Sequence, residues 1–240
     1  MSRDIKEATE TRIPAAFRQL LPSDAGDVFA LYKQRAERVE DGFLAERSLQ
    51  DFNDLLAQPR RCAAVGAFSD EALIAYTLCT LTADPAYQNC PIIRQIQARG
   101  EPLWVGKGTI VDPAFEGRLL MSRLLKKRHE IISEHGAAHS AGLIAIGNLP
   151  SLAGALRAGS WIVGFEQDEY CLNFVCYAGP ICLNDLMADT CEFAIEDPDI
   201  DALTERFEKG WVGTRLSRDR RTDKRILTLK RLSNNALHKQ

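Results

Sequence analysis

The chain has 240 residues, 45% hydrophobic and 26% charged, with a formal net charge of -3 and a pI near 5.9. That length allows one well-formed core, or one domain plus an appendage. The charge balance argues against a nucleic-acid-coating protein, and no acidic block reads as a solvating tail. The opening MSRDIKEATETRIP is too polar for a signal peptide or an anchor, and no apolar run approaches the ~20 residues of a membrane span. Residues 1–14 are expected to be disordered, and the protein to be cytoplasmic and without membrane partners.

A short strand is predicted in AAFRQLLPSD, ending at Pro22, where Ser23 or Asp24 can cap a helix running to about Arg38. Ser48 reads as a second N-cap, opening a helix through Leu56. CAAVGAF and ALIAYTLCTL, separated by Ser69-Asp70-Glu71, read as a β-hairpin. Ala83 to Pro102 interrupts the rhythm with three prolines and a helix-compatible IIRQIQAR, either a surface loop or an insertion that shapes a pocket. Leu103 to Val111 is a strand whose two glycines mark a bulge or a close backbone approach. After Asp112-Pro113 a helix is predicted from near Gly117 to about His135, stopped by Gly136. GLIAIG follows as a buried strand, then Asn148-Leu149-Pro150-Ser151 and a short helix ending at Gly159. Two more strands, WIVGFE and YCLNFVCYA, turn around Gln167-Asp168-Glu169. The order β-α-α-β-β-β-α-β-α-β-β describes a mixed α/β sheet flanked by helices.

The unit TIVDPAFEGRLLMSRLL leads a strand through a tight turn into a helix, whose N-terminal amides and macrodipole suit an anion. Arg118 and Arg123 add positive charge near that end. Val111-Asp112-Pro113, Gly117, Asn148, Ser151 and Gly159, in this order and on these elements, resemble the Gcn5-related N-acetyltransferase superfamily. Its pattern runs strand, Val-x-Pro, Arg-Gly-x-Gly-x-Gly, helix, strand, Asn-x-x-Ala/Ser, helix, Gly-Phe.

The resemblance covers residues 15–178 and implies that fold, a GNAT-like acyl-CoA N-acyltransferase, with residues 179–240 as an extension. It implies acetyl-CoA or another acyl-CoA as cosubstrate, with no metal, and a small-molecule amine or amino acid as acceptor. The pantetheine arm would lie between LWVGKGTIV and GLIAIG, and the diphosphate on the amides of Gly117, Arg118, Leu119, Leu120, Met121 and Ser122. A backbone N–H near Ile110 or Val111 would hold the oxyanion, and Asn148 and Ser151 would flank the pantetheine exit. The amine would attack the thioester directly.

The departures are chemical. Glu116 and Leu119-Leu120-Met121 replace the basic, glycine-rich run. Ala155 stands where many members carry a proton-returning tyrosine, and Val105 where a glutamate often serves as base. Glu101, Lys107, Glu166 and Tyr170 are the candidate substitutes, each with a solvated or structural reading beside it. An acyl carrier protein is an alternative donor, and a non-catalytic ligand-binding or scaffold member a second alternative.

The seven cysteines contain no Cys-x-x-Cys and read as reduced thiols, with Cys62, Cys90 and Cys191 open to exposure. His129, His135 and His139 are spaced six and four apart, off a common helix face, and read as no metal site. In the tail, an acidic helix from Asp199 to Lys209 precedes a basic hairpin around SRDRRTDK. That hairpin is either solvated or turned to an anionic partner: RNA, a carrier protein contacted by Arg218, Arg220 and Arg221, or the 3′-phosphate of CoA. It is expected to pack on the sheet or on a second subunit of a homodimer.

Overall fold

A computed structural model describes residues 15–38, 44–82, 84–168, 171–180, 186–195, 198–219 and 221–233. Tyr170, Arg220 and the N-terminal segment 1–14 lie outside the described residues. The strands are β1 (Ala16–Gln19), β2 (Cys62–Ser69), β3 (Ala72–Thr82), β4 (Leu103–Val111), β5 (His139–Ala145), β6 (Trp161–Gln167), β7 (Leu172–Ala178), β8 (Leu186–Ala194), β9 (Trp211–Arg218) and β10 (Arg225–Leu232). The helices are α1 (Ala25–Ala36), α2 (Leu49–Leu56), α3 (Pro91–Ala98), α4 (Leu120–Glu134), α5 (Leu149–Arg157) and α6 (Ile200–Glu208).

Among the described residues the strands form one ten-stranded sheet in the order β1-β2-β3-β4-β5-β7-β6-β9-β10-β8. β4 and β5 are parallel; the other neighbours run antiparallel. The parallel pair is short. It holds Leu103 to His139, Trp104 to Ser140 and Val105 to Ala141, after which the two strands part.

Alternation along each strand sends neighbouring side chains to opposite faces. On one face α1 and α2 cover β2–β4, with Val28, Phe52, Tyr76 and Leu78 buried, and α3 covers β5–β7 with Ile92, Ile93 and Ile96. On the other, α4 packs Leu120, Leu124 and Ile132 against Ala63, Val65 and Trp104. α5 and α6 close over Ile162, Phe165 and Phe174. The core is thus divided into four clusters, two on either side of the parting strands.

Local rules account for most boundaries. Ser48 caps α2 with a capping box: its Oγ accepts from Asp51 N–H (3.2 Å) and its N–H donates to Asp51 Oδ2 (2.6 Å). Asp24 departs from the expected cap. Its carboxylate makes no cap hydrogen bond to α1; it accepts both guanidinium arms of Arg18 (2.7 Å each) and the Leu21 N–H, tying β1 to the turn before α1. The insertion after β3 seats α3 so closely on β6 that a Cβ on Gly164 would fall 2.5 Å from Cys90 Sγ.

Residues beyond 179 continue the same sheet. β9 meets β6 at Ile162–Gly213, where a Cβ on Gly213 would lie 2.8 Å from Ile162 Cβ. Leu203, Phe207, Trp211, Leu227 and Leu229 share one buried cluster with Leu152, Ala155 and Phe174, and Phe207 meets Phe165 edge-on at 5.4 Å. β8, exposed along most of its length, is an edge strand on β10 that no periodic signal had marked.

Because this cluster crosses residue 178, the chain should unfold in one transition. Phe207→Ala should lower that single transition by about 3–5 kcal/mol. Urea unfolding followed by far-UV circular dichroism and by tryptophan emission measures it; two separate transitions would mean an independently folded extension.

Candidate active site

Where β4 and β5 part, Gly106 faces Gly142. A Cβ on Gly106 would come within 3.4 Å of Gly142 Cα, so two glycines let the backbones cross without hydrogen bonding. β4 also carries the bulge its glycines implied: Leu78 faces Gly108 and Cys79 faces Gly106, leaving Lys107 as the extra residue. Gly108 takes φ +129, a value only glycine adopts without strain.

The gap between the strands is a cavity of about 440 Å³ that passes from one face of the sheet to the other. Met121, Leu125, Asn148, Ser151 and Ala155 line it on the α4–α5 side; Tyr32, Arg47, Tyr76, Tyr87, Asp168 and Asn173 line it elsewhere.

The open edge of β4 supplies backbone donors. Asp112 N–H donates to Ile74 O (2.9 Å), and hydrogen-bonded pairs recur at every second residue of an antiparallel ladder. Ile110, opposite Tyr76, is therefore turned to β3. The N–H groups of Thr109 and Val111 are directed to the open side. Ile110 still lines the cavity, whereas the Val111 side chain packs under α4.

The anion-binding turn differs from its expected form. α4 begins at Leu120, three residues after Gly117, following a short 3-10 turn over Pro113–Phe115. Gly117 has φ +73 and is exposed. Leu119, at the second glycine position of the resembling pattern, holds φ +60 without being glycine, a conformation that costs about 1–2 kcal/mol. Its carbonyl accepts from Arg123 N–H (3.2 Å) and Ser122 Oγ (3.0 Å). The Ser122 hydroxyl thus faces inward. Arg118 is exposed and lies over the Phe115 ring. Glu116, the misplaced negative charge, is neutralised by Arg35 Nη1 at 2.7 Å. At the other motif, Asn148 Oδ1 caps α5 by accepting Ser151 N–H (3.3 Å).

Of the side chains expected to act as acid or base, Lys107 lies in the cavity and Glu101 does not. Glu101 sits before β4, at the end opposite the gap, and is engaged by Arg99 and the buried His139, whose other ring nitrogen meets Tyr177 Oη at 2.8 Å. Glu166, outside the cavity lining, meets Asn89 Nδ2. His135 Nδ1 contacts Ile131 O at 2.8 Å, whereas His129 Nδ1 is buried without a hydrogen-bond partner. Trp104 is core, edge-on to His135.

Two groups that sequence reasoning missed do line the cavity. Asp168 is the one carboxylate among the lining residues described; it accepts from Cys171 N–H (2.8 Å) and Asn173 Nδ2 (2.9 Å). Tyr87, from the insertion, holds φ +52, and burial, then the charge of Glu166, raises its hydroxyl pKa. The two cavity thiols are suppressed. Burial pushes Cys176 up to about 12, and burial followed by the Asp168 charge raises Cys171. Cys62 and Cys90 are likewise buried rather than exposed, and Cys191 is partly covered.

No family model matches the sequence, and no curated protein matches it. Solved structures do. An acetyltransferase of the GNAT family from Streptococcus pneumoniae is 13% identical over 69% of this chain and 99% of its own, with a TM-score of 0.53. The chain has the fold of the Gcn5-related N-acetyltransferases. The PaiA N-acetyltransferase of Thermoplasma acidophilum, in complex with coenzyme A, is 13% identical over 70% of this chain and 99% of its own, at a TM-score of 0.50. NAA60 of Arabidopsis thaliana, in complex with acetyl-CoA, is 15% identical over 69% and 98%, at 0.53. Each match leaves about the length of the extension uncovered.

The backbone of the turn can be tested by itself. No atom lies within 4 Å of a Cβ on Gly117, so a substitution there acts through φ rather than through a clash. Gly117→Val should lower stability by about 1–2 kcal/mol, and Gly117→Asn by clearly less, because asparagine tolerates the left-handed region. Thermal unfolding of both variants checks the order.

Proposed function

We propose that the protein is an N-acyltransferase that binds an acyl-CoA and transfers its acyl group to the amine of a small molecule or amino acid within a ternary complex. The observation that carries this reading is the open edge of β4 beside a cavity crossing the sheet, next to a helix N-terminus. A pantetheine arm can add along that edge as an extended strand does, while the diphosphate takes the free amides at the start of α4.

The amine enters from the Tyr32–Arg47 side and attacks the thioester carbon. Its nitrogen–carbon bond forms as the carbon–sulfur bond breaks, and the N–H groups of Thr109 and Val111 hold the oxyanion. Asp168 takes the ammonium proton, directly or through one water. A thiol leaves with a pKa near 8.5, and the neutral Tyr87 hydroxyl can donate to it, standing in for the tyrosine that Ala155 replaces. Protonated thiols at Cys171 and Cys176 are poor nucleophiles, which favours direct attack over an acyl-enzyme. The carrier-protein donor is less supported, because Arg218 of the basic hairpin is paired with Asp223.

Thermal unfolding with CoA, acetyl-CoA and a medium-chain acyl-CoA tests donor binding. A donor at ~100 times its dissociation constant should stabilise by about 2.7 kcal/mol; no shift with any of the three would remove the reading. If turnover is found, Asp168→Asn should lower kcat/KM by about 10²–10⁴ with CoA affinity kept, and Tyr87→Phe should lower kcat more than it changes KM. Loss of CoA affinity in Asp168→Asn would instead make that residue structural.

A further inference from the structure

Arg128 stands in the third turn of α4 and turns inward beneath the gap. Its Nη1 donates to Thr77 Oγ1 at 2.9 Å, and Thr77, fully buried, shares a 2.8 Å hydroxyl contact with Thr109. A Cβ on Gly106 would lie 4.0 Å from the same nitrogen. The guanidinium therefore sits at the apex, where β4 and β5 part. Its Nε is buried and lacks a hydrogen-bond partner, and no carboxylate among the described residues pairs with it.

The surroundings make the charge more conspicuous. Arg47 and Lys107 add two cations to the same cavity, against the already hydrogen-bonded Asp168. A guanidinium stays charged at any physiological pH, and this one is half-buried on the cavity wall with no opposite charge from the described residues on it. Its natural complement is an anion brought by a ligand.

The diphosphate cannot be that anion. Arg128 follows Leu120 by eight residues, about 12 Å along the helix axis at 1.5 Å per residue. The pantetheine arm is uncharged, and the amine acceptor comes from the opposite face, on the Tyr32–Arg47 side, which leaves the thioester end of the donor.

Resting on the acyltransferase reading, we propose that the cavity selects acyl-CoA donors whose acyl chain carries a terminal carboxylate, the monothioesters of dicarboxylic acids, with Arg128 as the specificity-determining residue. The carboxylate accepts from the guanidinium edge that faces the cavity and takes no part in bond making. The amine still attacks the thioester carbon, the thiol still leaves, and the product amide retains the acid.

Calorimetric titration of the full chain with CoA, butyryl-CoA and succinyl-CoA tests this, since the last two differ chiefly in a terminal methyl against a carboxylate. Succinyl-CoA should bind about tenfold or more tighter than butyryl-CoA. In Arg128→Met that preference should fall to about twofold or less, with butyryl-CoA changed by under about threefold. Arg128→Lys, which keeps the charge but loses the fork, should retain part of the preference and serves if the methionine variant does not fold. Equal affinity of the two donors for the wild type overturns the proposal, as does an Arg128→Met variant that weakens all three ligands alike. If none of the three binds, the acyl-CoA reading fails and the selectivity falls with it. Binding of CoA and butyryl-CoA as tight as succinyl-CoA removes the selectivity alone.

Discussion

The parting of β4 and β5 after Val105 is the constraint on which the rest of the molecule depends. Three paired residues hold the strands together at one end, and a pair of facing glycines lets them cross and separate at the other. An unpaired strand edge inside a protein would ordinarily be unfavourable, because buried N–H and C=O groups need partners. Here the cost is contained because each half of the sheet carries its own clusters on both faces, α1, α2 and α4 on one half and α3, α5 and α6 on the other.

The turn before α4 shows how a backbone path can persist while its side chains change. Glycine is the easy residue for a left-handed conformation, yet Leu119 holds one, supported by Ser122 and Arg123 on its carbonyl. Glu116 would repel a diphosphate if unpaired, and Arg35 of α1 pairs with it. What remains of the glycine-rich run is therefore its geometry, with free amides at a helix start, rather than its composition.

The extension belongs mechanically to the rest. Gly213 permits β9 to lie against β6, and α6 places Phe207 against the Phe165–Phe174 stack. The same cluster includes Leu152 and Ala155 of α5, whose neighbours line the cavity. The helix that flanks the gap beside α4 is thus positioned partly by residues more than fifty positions further along the chain. The insertion acts in the same way from the opposite face, where α3 anchors the segment that delivers Tyr87.

Local chemistry determined a good deal in the sequence alone. The order of elements through Ala178 apart from α3, the bulge in a strand with two glycines, the capping role of Ser48 and the turn at Gly117 follow from preferences acting over a few residues. β8 escaped notice because an exposed edge strand has no buried face to impose alternation. Tertiary structure alone decided which charged groups meet the cavity. Asp168 arrives from a hairpin turn, Tyr87 from an insertion and Arg128 from a helix that would read as amphipathic with or without it. Glu101, close to the right strand in sequence, lies at its wrong end beside His139. Such convergence depends on how distant segments pack, and no spacing within a single element encodes it.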